Sequence, residues 1–495
     1  ADPFVQKLVL AMWEFIVERD EFYTVIAGHP WFSDWGRDTF IAFDGILAAG
    51  MNDVARGLIL AFGKFEGKDG NKGMLPNIIT GAEAGNWDTV DAPLLYVLAV
   101  RNYIQSTGDT GILETKTGDR TVRAIIESIA EGYQEGTKNG IRMDAESGLI
   151  YSPPHFTWMD TNYPAATPRE GYTVENNARW FDVLSWLAEL ARRDNDLPKA
   201  ETYARLAARV EESFNMYFWN EKSGYLADTV VAGQGVSAQA GRQDLSIRPN
   251  QLIAVLSAYG LLSTERRQKV VEIVAEKLLV PTGLRTLSED TQSSEEFPYR
   301  GTYEGSDDNG RKQAYHNGTV WPHLFGDWAL AYVTAYNFSP ESIRHVLPYF
   351  APLDEHLKQA GVGSISEVRD GNYPHRPRGT DAQAWSVALP LAAYMKILSA
   401  GQIKNASSPL GTSGPTVIDT LSSDATRQGS SDLSQDLGGI NLNAELMNLK
   451  IRRDEHGLPL PLPQQPLMDI QVDGFFPVIF YVVPVDLLLL TGLES

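Results

Sequence analysis

Two carboxylates set in loops rich in aromatic and amide side chains are the residues of this chain best placed to do chemistry. Asp160 closes the run F-T-W-M-D at 156–160, ahead of T-P-R-E-G at 167–171 and Glu175. Glu367 lies far along the chain in S-I-S-E-V-R-D-G at 364–371. Two such carboxyls can flank a glycosidic bond, one giving a proton to the leaving oxygen and the other activating water. A lone Asp in a turn more commonly caps a helix, and a lone Glu in a Gly-flanked loop is most commonly solvated surface. The neighbourhood changes that balance.

Around the carboxylates the chain repeats Trp, Tyr, Asn and His in polar loops: G-H-P-W-F-S-D-W-G-R-D-T at 28–39, N-W-D-T-V-D-A-P at 86–93 and Y-H-N-G-T-V-W-P-H at 315–323. A pyranose stacks its C–H faces on aromatic rings and binds carboxylates, amides and guanidinium groups through its hydroxyl rim. Trp31, Trp35, Trp87, Trp321 and Trp385 are candidate stacking platforms, with core packing as the plain alternative for each. Arg37 and Asp38 open a helix and are placed to grip sugar hydroxyls, although an acid at a helix start is also ordinary electrostatics. Asp88, Glu175, His316 and His323 are candidates for the pocket lining. Burial against Trp158 and neighbouring acids would keep Asp160 protonated as general acid. Glu367, in a flexible loop, would orient and deprotonate water as general base.

These loops need a frame, and the chain is long enough to build one. It has 495 residues, of which 43% are hydrophobic and 10% aromatic, enough for one large core and a smaller piece. With 63 acidic against 42 basic residues its net charge of −21 repels nucleic acid and anionic membranes, and leaves neutral polyols unaffected. No cysteine is present, which excludes a disulfide framework and thiolate chemistry and fits a cytoplasmic protein. The start, ADPFVQKLVLAMWEF, reads as an amphipathic helix and not a signal peptide, and suggests a piece of a longer chain. The apolar run 475–490 is broken by Pro477, Pro484 and Asp486 and is short for a membrane span.

Apolar periodicity predicts helices near 3–18, 37–49, 53–65, 88–105, 112–134, 174–192, 197–217, 248–259, 264–278, 317–336, 340–358 and 381–399. Ser339, Ser263 and Asp196 are start signals; Gly50, Gly108 and Gly260 are stops. Connections near 50–52, 106–111, 193–196, 260–263 and 337–339 are short, while those at 19–36, 66–87, 135–173, 218–247, 279–316 and 359–380 are long. Helical hairpins with long loops gathered at one end suit an all-α toroid whose long loops converge on one face. Residues 1–400 form this unit, 401–438 read as a Ser- and Gly-rich linker, and 439–495 as a small segment with strand-like stretches.

The blocks already quoted, with G-M-L-P-N at 73–77, I-R-P-N-Q at 247–251, G-L-R-T-L at 283–287 and Q-A-W at 383–385, together resemble the glucosidase domain of glycogen debranching enzymes over about 4–400. The resemblance implies an (α/α)6 barrel that removes α-1,6-linked glucosyl stubs from glycogen or a related α-glucan by an inverting reaction. It places the general acid at Asp160 and the general base at Glu367. No cofactor and no metal are expected. The sugar-binding β domain of bacterial relatives and the transferase domain of eukaryotic ones have no counterpart in this sequence.

Other chemistries find weaker footing. Asp307-Asp308-Asn309-Gly310 lacks the spaced ligands of a calcium loop, His316 and His323 have no visible third metal ligand, and the Gly-rich 233–241 does not follow a nucleotide-binding pattern. Two alternatives stay open. One is another α/α-barrel enzyme, glucoamylase-like, trehalase-like or an inverting phosphorylase; a phosphorylase would replace Glu367 with a phosphate site. The other is a carbohydrate-binding protein without catalysis.

Overall fold

The computed structural model describes residues 2–19, 22–80, 83–161, 167–290, 298–305 and 308–407, and several of its helices begin at the caps the sequence supplies. The side chains of Asp196, Ser263 and Ser339 each accept a hydrogen bond from the backbone N–H three residues on. Gly108 ends a helix in the left-handed conformation, as its position in the sequence predicts.

The helices are α1 (Pro3–Trp13), α2 (Gly36–Ile41), α3 (Phe43–Ala48), α4 (Asn52–Gly63), α5 (Asp91–Thr107), α6 (Val122–Glu135), α7 (Val174–Arg193), α8 (Leu197–Tyr217), α9 (Leu252–Val255), α10 (Thr264–Leu278), α11 (Asp308–Tyr315), α12 (His323–Ala335), α13 (Pro340–Val346), α14 (Ala351–His356) and α15 (Ala384–Ser407). The molecule is helix-rich. Several boundaries differ from the periodicity. The first helix stops at Trp13 and gives way to a hairpin, Ile16–Arg19 with Phe22–Val25. The stretch 340–358 breaks into α13, a 3-10 turn and α14, where Pro348 and Pro352 cannot donate to the helical ladder. The helix expected from 317 begins at His323, because Val320–Trp321 is a strand. Helix α15 runs past the expected boundary at 400 to Ser407.

Packing follows the burial pattern. From Val174 to Ala191, α7 is buried at almost every position, whereas α8 buries one stripe through Ala200, Tyr203, Ala207, Val210 and Phe214. Helix α7 is therefore covered on all sides and α8 on one. The contacts run from α15 to α2 and α3, on to α5, α7, α9 and α12, and from α12 back to α15. Helices α1, α4, α6, α8, α10 and α13 each pack on members of that series. Tyr394 of α15 sets its ring edge-on to Phe4 at 5.2 Å and donates its hydroxyl to Asp2, joining the last helix to the first. Gly45 of α3 and Gly326 of α12 lie against the backbone of α15 at Ala388 and Leu389–Pro390, where a side chain would not fit.

The long connections are not bare loops. They carry strands of two to four residues, too short to leave an alternating pattern in the sequence. One sheet orders Arg242–Asp244, Thr229–Val231, Gly171–Thr173, Ile150–Ser152 and Arg142–Met143. A second orders Leu279–Val280, Gly283–Arg285, Val320–Trp321, Val368–Arg369 and Pro377–Arg378. Ala382–Gln383 pairs with Gly28–His29, which ties the end of the last long loop to the first.

No helix among the described residues is long and apolar enough to cross a membrane. The run 475–490, the segment 439–495 and the linker beyond Ser407 lie outside the described residues.

Candidate active site

Arg37, at the start of α2, is the hub that gathers distant loops. Its Nε donates to both oxygens of Asp91 at 2.8 and 2.9 Å, its Nη1 to Asp160 at 2.9 Å and its Nη2 to the Phe156 carbonyl at 3.1 Å. Thr89 donates to Asp91 at 2.6 Å. Burial opposes the charge on Arg37, but Asp91 and Asp160 outweigh it and raise its pKa. Asp160 keeps 38% of its side-chain surface open. Loss of water from the rest raises its pKa, against the pull of Arg37. Asp38 is buried and accepts from Gln383 Nε2 at 3.2 Å, a contact made by the pairing of Ala382–Gln383 with Gly28–His29. Burial pushes Asp38 up to about 8 against Arg37, and the fields of Asp160, Glu367 and Asp91 push the same way. The two carboxylates singled out in the sequence thus act on one shared neighbour.

Glu367 immediately precedes the strand Val368–Arg369 and is 2% exposed. Its backbone N–H donates to the Thr380 carbonyl at 3.0 Å. Its Oε1 accepts from the Tyr315 hydroxyl and its Oε2 from the Thr380 N–H at 2.9 Å. Burial pushes its pKa up to about 7, while those two donors pull it down. The sequence places Glu367 in a flexible loop; the structure corrects that, because the second sheet and the turn at Gly379 enclose it.

Behind the carboxylates stands an aromatic block. Trp158 lies edge-on to Trp321, His316 and His323 at 5.3, 5.5 and 5.2 Å, and His323 stacks on Trp385 at 4.7 Å. All five rings are buried. Burial holds His323 down to about 3 and, with Arg248 and Arg37 adding to it, pulls His316 well below its ordinary value, so both rings are neutral. His316 Nδ1 bonds Thr161 Oγ1. The indole N–H of Trp158 donates to Asn250 at 2.7 Å, and Asn250 donates to Asp228 at 2.7 Å.

Asp228 and Glu175 both bind Arg169, which reaches Glu175 at 2.5 and 2.6 Å, Asp228 at 2.7 Å and Thr157 at 3.0 Å. Arg169 has φ 44, a left-handed conformation rare for a bulky residue and held here by these contacts. The T-P-R-E-G segment therefore braces the T-W-M-D turn. Glu175 is 1% exposed and committed to Arg169. With Arg179, Asn250, His323 and Asp327 it lines a small pocket of about 30 Å³.

The remaining candidates are dispersed. Trp31 is 63% exposed, Trp35 and Trp87 are half-buried, and Asp88 faces solvent. In the N-W-D-T-V-D-A-P block it is Asp91, not Asp88, that enters the cluster. Asp91 passes in the sequence for a helix-opening acid. Tyr315, Thr380, Gln383, Asn250 and Arg169 lie in or beside quoted blocks, so the signal was present without a role; Asp228 carried none.

A family profile described as "Amylo-alpha-1,6-glucosidase" matches residues 10–391. The chain is also similar to the "Glycogen debranching enzyme" of Saccharomyces cerevisiae (strain ATCC 204508 / S288c), 26% identical over 390 residues. That match covers 62% of this chain and 25% of the yeast protein, so the chain spans about a quarter of the length of the curated relative it matches.

Proposed function

The chain belongs to the amylo-α-1,6-glucosidase family, and on that premise we propose that it hydrolyses α-1,6-linked single glucosyl branches of glycogen or a related α-glucan, with inversion at the anomeric carbon. Asp160 protonates the leaving oxygen and Glu367 deprotonates the attacking water. The observation that carries this division is the pair of donors on Glu367: Tyr315 and the Thr380 amide both give hydrogen bonds, the arrangement a carboxylate accepts. Each oxygen retains a lone pair for water. Asp160, with over a third of its side chain open, is accessible to a leaving oxygen. Arg37 and Asp38 take sugar hydroxyls, the neutral His316 and His323 with Trp158, Trp321 and Trp385 form an apolar wall, and Trp31, Trp35 and Trp87 supply stacking surface toward the glucan chain. Support for an (α/α)6 toroid as the frame comes from the helix packings that return from α12 to α15.

A second assignment exchanges the two roles. It is favoured by the Arg37–Asp160 pair at 2.9 Å, which stabilises Asp160 as an anion, and by the rise of Glu367 to about 7. α-Glucosyl fluoride separates the two, because fluoride leaves without a proton. Asp160→Asn should lose at least ~10²-fold in turnover on a glucosyl-branched maltooligosaccharide and keep most activity on the fluoride; Glu367→Gln should lose both. The reverse pattern would exchange the roles. Proton NMR of early product should show β-glucose; α-glucose first would require a covalent intermediate. Faster release from maltose or trehalose than from the branched substrate would sink the debranching assignment.

A further inference from the structure

Glu367 stands at the meeting of three segments that are distant in sequence. The strand beginning at Val368 fixes its backbone, the turn at Gly379–Thr380 closes over one oxygen, and Tyr315, the last residue of α11, reaches the other. Gly379 is left-handed at φ 68, and a Cβ there would collide with the Glu367 carboxylate, so the turn lies directly on the side chain. Tyr315 is itself held. Its carbonyl accepts from Trp321 Nε1 at 2.9 Å and from Thr319 Oγ1 at 2.6 Å. Its ring lies 4.9 Å from Trp321, 4.6 Å from His316 and 5.6 Å from Tyr303. A phenol fixed on three sides gives its hydroxyl one direction, toward Glu367.

We propose that Tyr315 is the positioning residue of Glu367: its hydroxyl fixes the orientation of the carboxylate and lowers its affinity for a proton. Tyr315 acts through Glu367 and moves no proton to or from the substrate. The physical reason is that a hydroxyl donor stabilises the ionised carboxyl and is of no use to the protonated one at that oxygen. Burial raises the Glu367 pKa, and the Tyr315 donor is the larger of the two influences that restrain it. Without that donor the carboxylate would be fully protonated at a higher pH and free to turn about the Thr380 contact. Desolvation and the adjacent Glu367 both keep the phenol protonated well above its ordinary range, so it remains a donor over the working pH range.

This proposal rests on the assignment of Glu367 to catalysis, and the experiment separates the two. Glu367→Gln is measured first; wild-type turnover in that variant removes the catalytic assignment itself and, with it, the role given to Tyr315. With Glu367 essential, Tyr315→Phe deletes one hydroxyl. The expected result is an upward shift of about one pH unit in the limb of the kcat/KM profile that reports Glu367, the size associated with losing one hydrogen bond to a charged group. With Glu367 as the base this appears as a loss of about fivefold at pH 7, approaching about tenfold at lower pH and mostly recovered at higher pH. If Glu367 is the base the acidic limb moves, and if it is the acid the alkaline limb moves; either shift supports the hold by Tyr315 while reading the role of Glu367 separately.

Loss that is equal at all pH values, with both limbs unmoved, overturns the proposal and leaves Tyr315 a packing residue. Site-specific 3,5-difluorotyrosine at 315 tests the same point with the shape nearly preserved, should Tyr315→Phe fail to fold. Its more acidic hydroxyl is a stronger donor, and the same limb should move down. No movement there overturns the proposal equally.

Discussion

A carboxyl group's chemistry is set by what faces each of its two oxygens, and at this scale the two site carboxylates differ. Asp160 meets a guanidinium and open space; Glu367 meets two neutral donors and is enclosed. With Glu367 raised to about 7 and required as an anion, kcat/KM should climb as pH rises through about 7. A pH–rate profile flat from 5 to 8 would contradict this. Arg169 offers a stability test. Glu175 and Asp228 are each about 1% exposed and share its one positive charge. Arg169→Met would leave two buried carboxylates without it, costing about 3–5 kcal/mol in urea unfolding. The identity of Asp160 and Glu367 as paired candidates was legible from their motif settings. Which of Asp88 and Asp91 joins the cluster was not, since both sit in the same block and only the register of α5 turns Asp91 toward Arg37.

Helices and strands were unequally visible. Long helices such as α7 and α8 declare themselves through a sustained apolar period, and α8 also through its cap at Asp196. The strands in the loops do not, because a two-residue strand is defined by its partner across space. The sheet that carries Glu367 and Trp321 is made of such strands. Close helix approaches are equally silent in sequence. At Gly45 and Gly326 the backbone of α15 occupies the space a side chain would need. Gly45→Val should therefore destabilise by about 1–3 kcal/mol through overpacking, visible as a lower urea midpoint with an unchanged slope. A variant with wild-type stability would show that α3 and α15 can separate without cost.

For the whole molecule, buried titratable groups set a pH dependence of stability. Asp34, Asp38, Asp327 and Glu367 are pushed up by burial to about 6, 8, 7 and 7. Each holds its proton more tightly folded than unfolded, so its stabilising contribution is complete below about pH 4 and is lost as pH rises through those values. His323 and His356 are pulled down by burial to about 3 and about 4, and act in the opposite sense. Their contribution is lost as pH falls below about 6.5 and is constant above it. Between pH 6.5 and 8 only the carboxyl trend remains. The melting temperature should fall across that window, and Asp38→Asn should flatten the slope. A melting temperature that rises from pH 6.5 to 8 would overturn this assignment of buried protons. A chain ending after Ser407, where α15 ends, should keep the activity of the full chain; its loss would place residues beyond 407 in the working enzyme.

Local and periodic information was decided by the sequence alone: where long helices such as α7, α8 and α10 start and stop, which connections are long, and that carboxylates, indoles and a guanidinium are concentrated in those connections. Such features depend on neighbours within a few residues, where spacing and residue type suffice. Partnership was decided only by the tertiary structure. Arg37 binds Asp91 and Asp160, Trp158 turns to Asn250, Glu175 is spent on Arg169, and Glu367 is enclosed by Tyr315 and Thr380. A carboxyl's proton affinity depends on water removed and charges brought near by segments far along the chain. Neither quantity exists until those segments have packed.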